Sequence, residues 1–307
     1  MDCYRKGATK IECIMDIVIT YVDGLDPEWQ KEYGKYSRTP ILEKRFRDWG
    51  TLKYLMRGIE KNMPFIRKVH LIVASESQIP AWINKETVNI VLHSDIIPAE
   101  YLPTFNCNPI EMYMHRIKGL AEQYLYFNDD MFPVMPCKAE DFFNKGKAVL
   151  GISRHLLAPN MYKRICRNSS NVARKATGME PSFFFMRPQH ICSPMLRSVC
   201  EELYCKVEKD IKASLTRTRE ENNLNQYLFL DYMYLKGVLI NKRLSKKHFS
   251  TGATSTKKLC EYLLHPTRKL ICINDVQMSE KRYTTMRNAL TETFEAILPH
   301  KSRYEQQ

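Results

Sequence analysis

Two adjacent carboxylates, Asp129 and Asp130, follow directly on the apolar run "YLYF" at 124–127 and the amide of Asn128. The run is aromatic and has the length of a buried strand. Two acids at the end of such a strand form either a solvated turn or a site for a divalent cation. An uncompensated buried carboxylate costs several kcal/mol, so a metal ion is the expected partner if the pair points inward.

Acids and an amide also follow two other predicted strands. Asp23 and Asp26 come after "MDIVITYV", and Asn274 and Asp275 lie near the end of "KLICINDV". In open α/β sheets, ligands bind in the crevice at the carboxyl ends of the strands. If the three strand ends meet, they form an oxygen-rich, negatively charged site suited to Mg²⁺ or Mn²⁺.

Residues suited to proton transfer lie near these strands in the sequence. The segment "CNPIEMYMHRIKGL" has Asn108 as the predicted N-cap of a helix and Glu111 three residues later, with His115 one turn further on. Glu111 either caps the helix and pairs with His115, or faces a phosphate site at the helix N-terminus. His190, in "RPQHICSPMLR", is a candidate general base.

Phosphate chemistry also requires positive charge. The candidate arginines are Arg45, Arg47, Arg116, Arg217 and Arg219. Each of them is a surface residue on the simpler interpretation, because a single arginine is more often solvated than bound to phosphate. No glycine-rich phosphate-binding loop of the GxGxxG or GxxxxGK[ST] type is present.

The elements that must position these residues alternate between strands and helices. Hydrophobic periodicity predicts strands at 15–22, 69–75, 88–94, 124–128, 148–153, 182–186, 237–244 and 269–276. It predicts helices at 43–62, 108–124, 194–212, 221–236 and 279–297, and a mobile loop at 245–258. This order predicts an α/β fold with a mostly parallel central sheet, flanking helices and a more helical C-terminal half. We expect one catalytic domain, 1–307, in which 153–258 is a helical and basic subregion rich in loops.

Charge is unevenly distributed along the 307 residues, which carry 47 basic and 34 acidic side chains and a net charge of +13. The stretches 153–175 and 242–258 each contain six lysines and arginines and no acid. Such stretches attract nucleic acid, anionic lipid or an acidic glycan, or they are simply solvated. Nucleic acid is disfavoured because the aromatic residues are not interleaved with the basic ones.

Neither a membrane-spanning run nor a signal peptide is predicted. The apolar runs fall short of the ~20 residues that a spanning helix needs, and the first 20 residues lack a continuous apolar stretch. We therefore expect a cytoplasmic protein with peripheral association at the inner face of the membrane. The ten cysteines are scattered without a CxxC pair, which predicts free thiols.

Four segments, 16–29, 45–73, 101–132 and 272–305, resemble the conserved blocks of the Stealth proteins, in the family's order. The resemblance implies a nucleotide-sugar-binding α/β fold similar to the GT-A type. It also implies transfer of a hexose-1-phosphate or hexosamine-1-phosphate from a UDP-sugar to a glycan hydroxyl, which forms a phosphodiester of a capsular or cell-surface polysaccharide and releases UMP. The implied cofactor is Mg²⁺ or Mn²⁺, and the implied partners are the UDP-sugar and an oligosaccharide or polysaccharide acceptor.

The resemblance also implies roles for individual residues. The residues that it assigns to catalysis are Glu111, Asp130, His190 and Arg219, with His190 or Glu111 as the base and Arg219 on the phosphoryl oxygens. We expect the nucleotide to be bound by Tyr21, Asp23, Asp26 and Asn274 of the matching blocks, and by Arg45 and Arg116 from the candidate arginines above. The metal ligands would be Asp129, Asp130 and Asp275.

Two other functions remain open at this level. A metal-dependent glycosyltransferase uses the same donor and the same strand-end acids but releases UDP. A non-catalytic module that binds a polyanion would need only the basic stretches.

Overall fold

The computed structural model describes residues 14–37 and 46–306. The strands in these ranges are β1 (Met15–Thr20), β2 (Ile66–Val73), β3 (Val88–Leu92), β4 (Gln123–Asn128), β5 (Met131–Pro133), β6 (Phe143–Asn144), β7 (Lys147–Leu150), β8 (Ile152–His155), β9 (Phe185–Pro188), β10 (Ser193–Leu196), β11 (Leu239–Asn241), β12 (Lys246–Ser250) and β13 (Leu270–Asn274). The α-helices that lie wholly in these ranges are α1 (Pro27–Tyr36), α2 (Leu52–Asn62), α3 (His93–Ile96), α4 (Cys107–Tyr113), α5 (Met161–Ala176), α6 (Arg197–Ser214), α7 (Tyr227–Leu235), α8 (Thr256–Leu264) and α9 (Glu280–Ile297).

The central sheet has five strands in the order β10-β4-β1-β2-β3. β4, β1, β2 and β3 are parallel, and β10 runs antiparallel at the edge. Because parallel strands are covered on both faces, their residues are apolar almost throughout, and Ile17, Val18 and Ile19 of β1 are fully buried. The predicted α/β class with a mostly parallel sheet is confirmed.

The amino ends of β1 and β2 are joined by a buried carboxylate. Asp16 Oδ1 and Oδ2 accept hydrogen bonds from Arg67 Nε at 2.9 Å and Nη2 at 2.6 Å. Oδ2 also lies 3.1 Å from His70 Nε2 and accepts from the backbone N–H of Ala121 at 2.8 Å. Burial alone would raise the pKa of Asp16, but the hydrogen bonds from His70, Arg67 and Ala121 lower it to about 2.

The first long helix is shorter than predicted. The residues at 43–45 lie outside the described part of the chain, and the helix begins only at Leu52. Gly50 has φ +67°, a left-handed conformation that interrupts a right-handed helix and that glycine adopts without strain. From Leu52 onward the apolar stripe packs inward, and Tyr54 stacks on Phe294 of α9 with ring centroids 5.2 Å apart.

The segment predicted as a mobile loop at 245–258 is ordered, and that prediction is wrong. Its first part forms β12, which pairs in parallel with β13 in a three-stranded sheet of order β12-β13-β5. Phe249 is buried and contacts Tyr262 of α8 with centroids 4.9 Å apart, while Lys247 and His248 are exposed. A single inward aromatic side chain anchors this lysine-rich edge strand.

The C-terminal half is more helical, as predicted, although several boundaries differ. The predicted helix at 194–212 is preceded by β10 and runs as α6 from Arg197, and the helix at 221–236 begins only at Tyr227. The predicted helix at 108–124 ends at Tyr113, with a short 3₁₀ turn after it. None of the helices in the described ranges is both long and apolar enough to cross a bilayer.

Candidate active site

The turn between β4 and β5 carries Asp129 and Asp130 and is fixed to β13. The carbonyl oxygen of Asp130 accepts a hydrogen bond from the backbone N–H of Ile273 at 2.8 Å. This bond brings the end of β4 beside the end of β13, where Asn274 and Asp275 follow. The predicted convergence of these two strand ends is therefore present in the structure.

A first cavity of about 260 Å³ opens at the carboxyl ends of β1 and β4. Its polar side contains Asp129, Asp130 and Asp275. Its lining also includes aromatic side chains, and the rings of Trp29 and Phe105 meet edge to face with centroids 5.5 Å apart. Aromatic and polar side chains in one cavity suit a ligand with an aromatic base and a charged group.

A second cavity of about 710 Å³ lies on the other side of the β4–β5 turn. Glu111 and His190 line it, together with the cationic side chains of Arg187 and Lys246. The residues that line both cavities are Cys107, Asn128, Asp130, Arg219 and Asn274. We call these five residues the shared wall.

The carboxylates of Asp129 and Asp130 are poorly compensated. Asp130 Oδ2 accepts a hydrogen bond from Cys272 Sγ at 3.3 Å, but Oδ1 is buried without a partner among the described residues. Burial raises the pKa of Asp130 to about 6, and burial together with the charges of Asp130 and Asp48 raises the pKa of Asp129 to about 8. The site is therefore short of positive charge at neutral pH.

These acids fit a divalent cation. The donors are carboxylate oxygens, which Mg²⁺ and Mn²⁺ prefer, and the unpartnered Oδ1 of Asp130 is free to accept one. Asp130, His190 and Cys272 also offer one ligand atom each within 4.8 Å of one another. Asp130 belongs both to this group and to the predicted set of metal ligands.

Asp275 is hydrogen-bonded to neighbouring side chains of the protein. Its Oδ2 accepts hydrogen bonds from Arg47 Nε at 3.2 Å and Trp49 Nε1 at 3.1 Å, and its Oδ1 lies 3.4 Å from Thr251 Oγ1. To act as the predicted metal ligand, Asp275 would therefore have to exchange hydrogen bonds with these residues for a bond to the ion. Arg47 itself is buried, and its Nη1 and Nη2 have no hydrogen-bond partner among the described residues. These two donors are suited to a phosphate, and Arg47 lines the first cavity.

Glu111 does not cap its helix. The N-cap is Asn106, whose side chain accepts from the N–H of Asn108, and the predicted N-cap at Asn108 is wrong. Glu111 Oε2 instead accepts from the N–H of Gln226 at 2.8 Å, and Tyr126 OH donates to Oε1 at 3.4 Å. Burial raises the pKa of Glu111 to about 7 despite these hydrogen bonds, which makes it a second candidate for proton transfer.

His190 and Arg219 come from the second half of the chain, and both line the second cavity. His190 Nδ1 lies 3.3 Å from Tyr227 OH. Burial, and after it the positive charges of His248, Lys246 and Arg187, lower the pKa of His190 to about 4. The imidazole is therefore neutral at pH 7 and can accept a proton.

Arg219 is the cationic member of the shared wall. Its Nη2 donates to Cys107 Sγ at 2.7 Å, and its guanidinium interacts electrostatically with Glu111. Arg217, the other candidate in the same segment, is exposed and lies over the ring of Tyr36, 5.1 Å from its centroid. The structure thus distinguishes between two arginines that the sequence left open.

Some of the predicted nucleotide-binding residues are elsewhere. Tyr21 and Asn274 line the first cavity, whereas Asp23, Asp26 and Arg116, all described, lie outside the lining of both cavities. Arg45 lies outside the described residues.

Local contacts explain the three exceptions. The side chain of Asp26 caps α1 by accepting from Glu28 N–H, and it also accepts from Ser77 and Gln78. Asp23 Oδ1 accepts from the N–H of Leu25 within the turn. The guanidinium of Arg116 packs on Tyr113 and Tyr204. The predicted nucleotide contacts of these three residues are therefore not supported.

Sequence reasoning missed the basic side of the second cavity. Lys246 and His248 reach it because β12 pairs with β13, and this segment had been interpreted as a loop. Arg187 reaches it from β9. The run of positive charge at 242–258 was visible, but only the strand pairing shows which of its members line the cavity.

The chain is similar to known proteins over most of its length. Residues 45–150 match the family model described as Stealth protein CR2, conserved region 2. Receptor polysaccharide phosphotransferase WefC of Streptococcus oralis is 30% identical over 337 aligned residues, which cover 95% of this chain and 99% of WefC. Capsular polysaccharide phosphotransferase LcbA of Aeromonas hydrophila is 32% identical over 79% of this chain and 72% of LcbA.

A crystal structure of the galactosyltransferase LgtC in complex with donor and acceptor sugar analogs has a TM-score of 0.41 and 11% sequence identity, and it covers 94% of this chain and 98% of LgtC. The likeness to WefC extends over both halves of the fold, and so over the regions that form the two cavities.

Proposed function

This chain belongs to the Stealth family of polysaccharide phosphotransferases, and on that premise we propose that it transfers a hexose-1-phosphate or hexosamine-1-phosphate from a UDP-sugar to a hydroxyl group of a glycan. The products would be UMP and a phosphodiester in a capsular or cell-surface polysaccharide. The full-length likeness to WefC supports the reaction class, and the site supports its details.

The single observation that carries the proposal is the shared wall. A transfer between two substrates needs a place where both meet, and five residues of this chain face two cavities at once. The first cavity, with its aromatic side chains and Arg47, suits the nucleotide diphosphate. The second cavity is larger and lined by cationic side chains, which suits an anionic or phosphodiester-linked glycan.

The chemistry follows from three side chains that line the second cavity, His190, Glu111 and Arg219. The acceptor hydroxyl gives its proton to neutral His190 while its oxygen forms a bond to the phosphorus that carries the sugar. The bond from that phosphorus to the bridging oxygen of UMP breaks, and UMP leaves with the electron pair. Arg219 stabilises the negative charge on the non-bridging oxygens, and Glu111 holds the acceptor or replaces His190 as the base.

The acids of the β4–β5 turn hold the diphosphate side of the site. Mg²⁺ or Mn²⁺, held by Asp130 with Asp129 or Asp275, would supply positive charge to the diphosphate when bound. The Oδ1 of Asp130, buried without a partner among the described residues, supports this assignment.

The nucleotide product tests the proposal. Purified protein is incubated with Mg²⁺, a panel of UDP-sugars and oligosaccharide acceptors, and the reaction is followed by ³¹P NMR. UMP together with a new phosphodiester resonance supports sugar-1-phosphate transfer. UDP without a phosphodiester means a metal-dependent glycosyltransferase and overturns the proposal.

An Asp130→Ala variant separates an enzyme from a binding module. We expect it to lose UDP-sugar binding and to keep its affinity for a polyanion such as heparin. If the variant lost UDP-sugar binding and polyanion binding equally, or kept both equally, a non-catalytic module that binds polyanions would be favoured. The Asp23→Ala variant is the matched control, because Asp23 lies outside the lining of both cavities.

Three further expectations are part of the proposal. The chain acts as one catalytic domain, 1–307, and the hydrophobic core that runs continuously from Met15 to Tyr304 supports this. It acts in the cytoplasm and binds the membrane peripherally. Of the two basic stretches, 153–175 is the better candidate for the membrane, because none of its lysines and arginines lines the second cavity, whereas Lys246 of the other stretch does.

A further inference from the structure

Four large apolar side chains are exposed together at one end of the β8–β9 pair. The strands are antiparallel, so the last residue of β8 lies opposite the first residue of β9. The chain leaves β8 through Leu156 and Leu157 at the same end at which it enters β9 through Phe183 and Phe184. These side chains are 49%, 73%, 84% and 57% exposed, respectively. We call these four residues the apolar tip.

The apolar tip is supported by α5. The backbone N–H of Ser182 donates to Asn171 Oδ1 at 3.1 Å, and Arg174 Nε donates to the carbonyl oxygen of Glu180 at 2.6 Å. The next residue inward from the tip, Phe185, is buried in the core. The exposed rings therefore project from an anchored segment, and their exposure is a property of the fold.

Single exposed apolar residues are common, but four large ones at the same end of one strand pair mark an interaction surface. Leucine and phenylalanine are the residues that enter the interfacial region of a bilayer from the apolar face of a peripheral protein. The apolar tip contains two of each at adjacent positions.

The segment that carries the apolar tip is rich in basic residues, of which Arg164 and Lys175 are paired with Glu221 and Asp210. Residues 153–190 contain seven lysines and arginines and one acid, Glu180. Arg154 is exposed on β8 beside the tip, and burial, together with the charges of Arg187 and of Lys163 on α5, lowers the pKa of the neighbouring His155. An apolar group with cations beside it is complementary to an anionic lipid surface. A second copy of this tip is a poor partner, because it would bring two positive surfaces together.

We propose that the apolar tip inserts into the interface of a bilayer that contains anionic lipid. Ser153 on β8 and Arg187 on β9 line the second cavity, so the two strands connect the tip directly to that cavity. Docking the tip holds the second cavity beside glycan acceptors at the membrane surface. This consequence rests on the proposed function, whereas the docking itself does not.

Vesicle sedimentation tests the apolar contribution. The full chain is mixed, without substrates, with vesicles of phosphatidylcholine alone and with vesicles that also contain phosphatidylglycerol. We expect binding to the anionic vesicles, and binding at least about tenfold weaker for the double variant Leu157→Ser, Phe183→Ser, because two large side chains no longer leave water. The control is Leu264→Ser, which removes a leucine of 48% exposure on α8. It should bind as the wild type does.

The same assay tests the charge. Arg154→Gln and Lys163→Gln should each weaken binding roughly fivefold, since one basic side chain near an anionic surface is worth ~1 kcal/mol. Lys257→Gln, at a side chain of 87% exposure in the other basic stretch, should have no effect. Added salt should weaken binding of the wild type.

Three results would overturn the proposal. In the first, the wild type does not bind anionic vesicles. In the second, the tip variants bind as the wild type does. In the third, light scattering shows a dimer of the wild type that is lost when the tip is changed.

The melting temperature of each variant checks that it is folded. Transfer to a soluble acceptor without vesicles should be unchanged in the tip variants. Vesicle binding by a wild-type protein without transferase activity would refute the proposed function and leave the docking intact.

Discussion

The two ends of the central sheet hold carboxylates in opposite situations. At the amino ends of β1 and β2, Asp16 accepts hydrogen bonds from Arg67 and from a backbone N–H and contacts His70, and its pKa falls to about 2. At the carboxyl ends of β1 and β4, Asp130 keeps one buried oxygen without a partner among the described residues, and the pKa of Asp129 rises to about 8. At the amino end of the sheet the aspartate has enough hydrogen-bond donors and positive charge around it, and at the carboxyl end the aspartates lack positive charge.

This difference separates stability from function within one sheet. A compensated buried carboxylate contributes to folding, and removing it leaves its partners unsatisfied. An uncompensated carboxylate costs folding free energy, which indicates that a ligand supplies the missing charge. The comparison can be tested by exchanging each acid for its amide.

The largest effect is expected at the carboxyl end. Asp130→Asn should lower kcat/KM for sugar-1-phosphate transfer by about a hundredfold to a thousandfold, because the charge that faces both cavities is lost. Its free energy of unfolding should be unchanged or higher, because the buried charge is removed. UMP release and urea denaturation measure the two quantities. Normal turnover in this variant would contradict the assignment of Asp130.

The amino end should behave in the opposite way. Asp16→Asn should lower the free energy of unfolding by about 3 kcal/mol, because Arg67 and the N–H of Ala121 lose a charged acceptor. The kcat/KM of the folded variant should match that of the wild type. Glu76→Gln is the control, since its ion pair with Lys85 is exposed and should contribute less than about 1 kcal/mol. Equal losses of stability in the two variants would remove the contrast.

The pH dependence of the free energy of unfolding should also show the contribution of Asp16, as a smaller effect. The pKa of Asp16 is about 2 in the folded protein and near 3.8 in the unfolded chain, so the unfolded chain binds the proton first as the pH falls. The contribution of Asp16 is complete above pH 4 and should be lost as the pH falls toward 2, at a cost of about 2 kcal/mol. Urea unfolding at several pH values measures the slope, and the slope should be shallower in Asp16→Asn. An identical slope in both proteins would mean that other groups control the acid transition.

The smallest effect concerns the cation. Mg²⁺ at ten times its dissociation constant should stabilise the fold by about 1.4 kcal/mol, because the ion binds the folded site only. Calorimetry after treatment with a chelator, with and without added Mg²⁺, measures the shift. The shift should disappear in Asp130→Asn and persist in Asp16→Asn. Stabilisation that survives the Asp130 change would place the ion elsewhere.

Much of the sheet could be predicted from the sequence. The strands containing Ile17 and Leu125 are short, apolar and rich in β-branched or aromatic residues, and they form the parallel centre of the fold as predicted. The strand ends at Asp130 and Asn274 meet as predicted, but β13 belongs to the separate sheet β12-β13-β5 and reaches the site through its antiparallel pairing with β5. The choice of His190 and Arg219 came from the resemblance to the family, and both side chains line the second cavity.

Long-range contacts decided what the sequence could not. Asp26 is an acid after a strand, as Asp130 is, but Asp26 precedes a proline and a glutamate and caps the helix α1, which is not among the predicted helices. Glu111 has capping-box spacing, yet it is held by Tyr126 and Gln226, the latter 115 residues further along the chain. Local patterns describe how a residue could be satisfied, and the tertiary fold selects its partner.

The shared wall has a consequence for the kinetics of the enzyme. On the proposed assignment of the donor to the first cavity and the acceptor to the second, both substrates are bound when the transfer occurs, and initial rates should give the intersecting lines of a sequential mechanism. When the second cavity holds only solvent, a water molecule occupies the position of the attacking hydroxyl. Slow hydrolysis of the UDP-sugar to UMP is therefore the side reaction to expect, and filling the cavity with a glycan should suppress it.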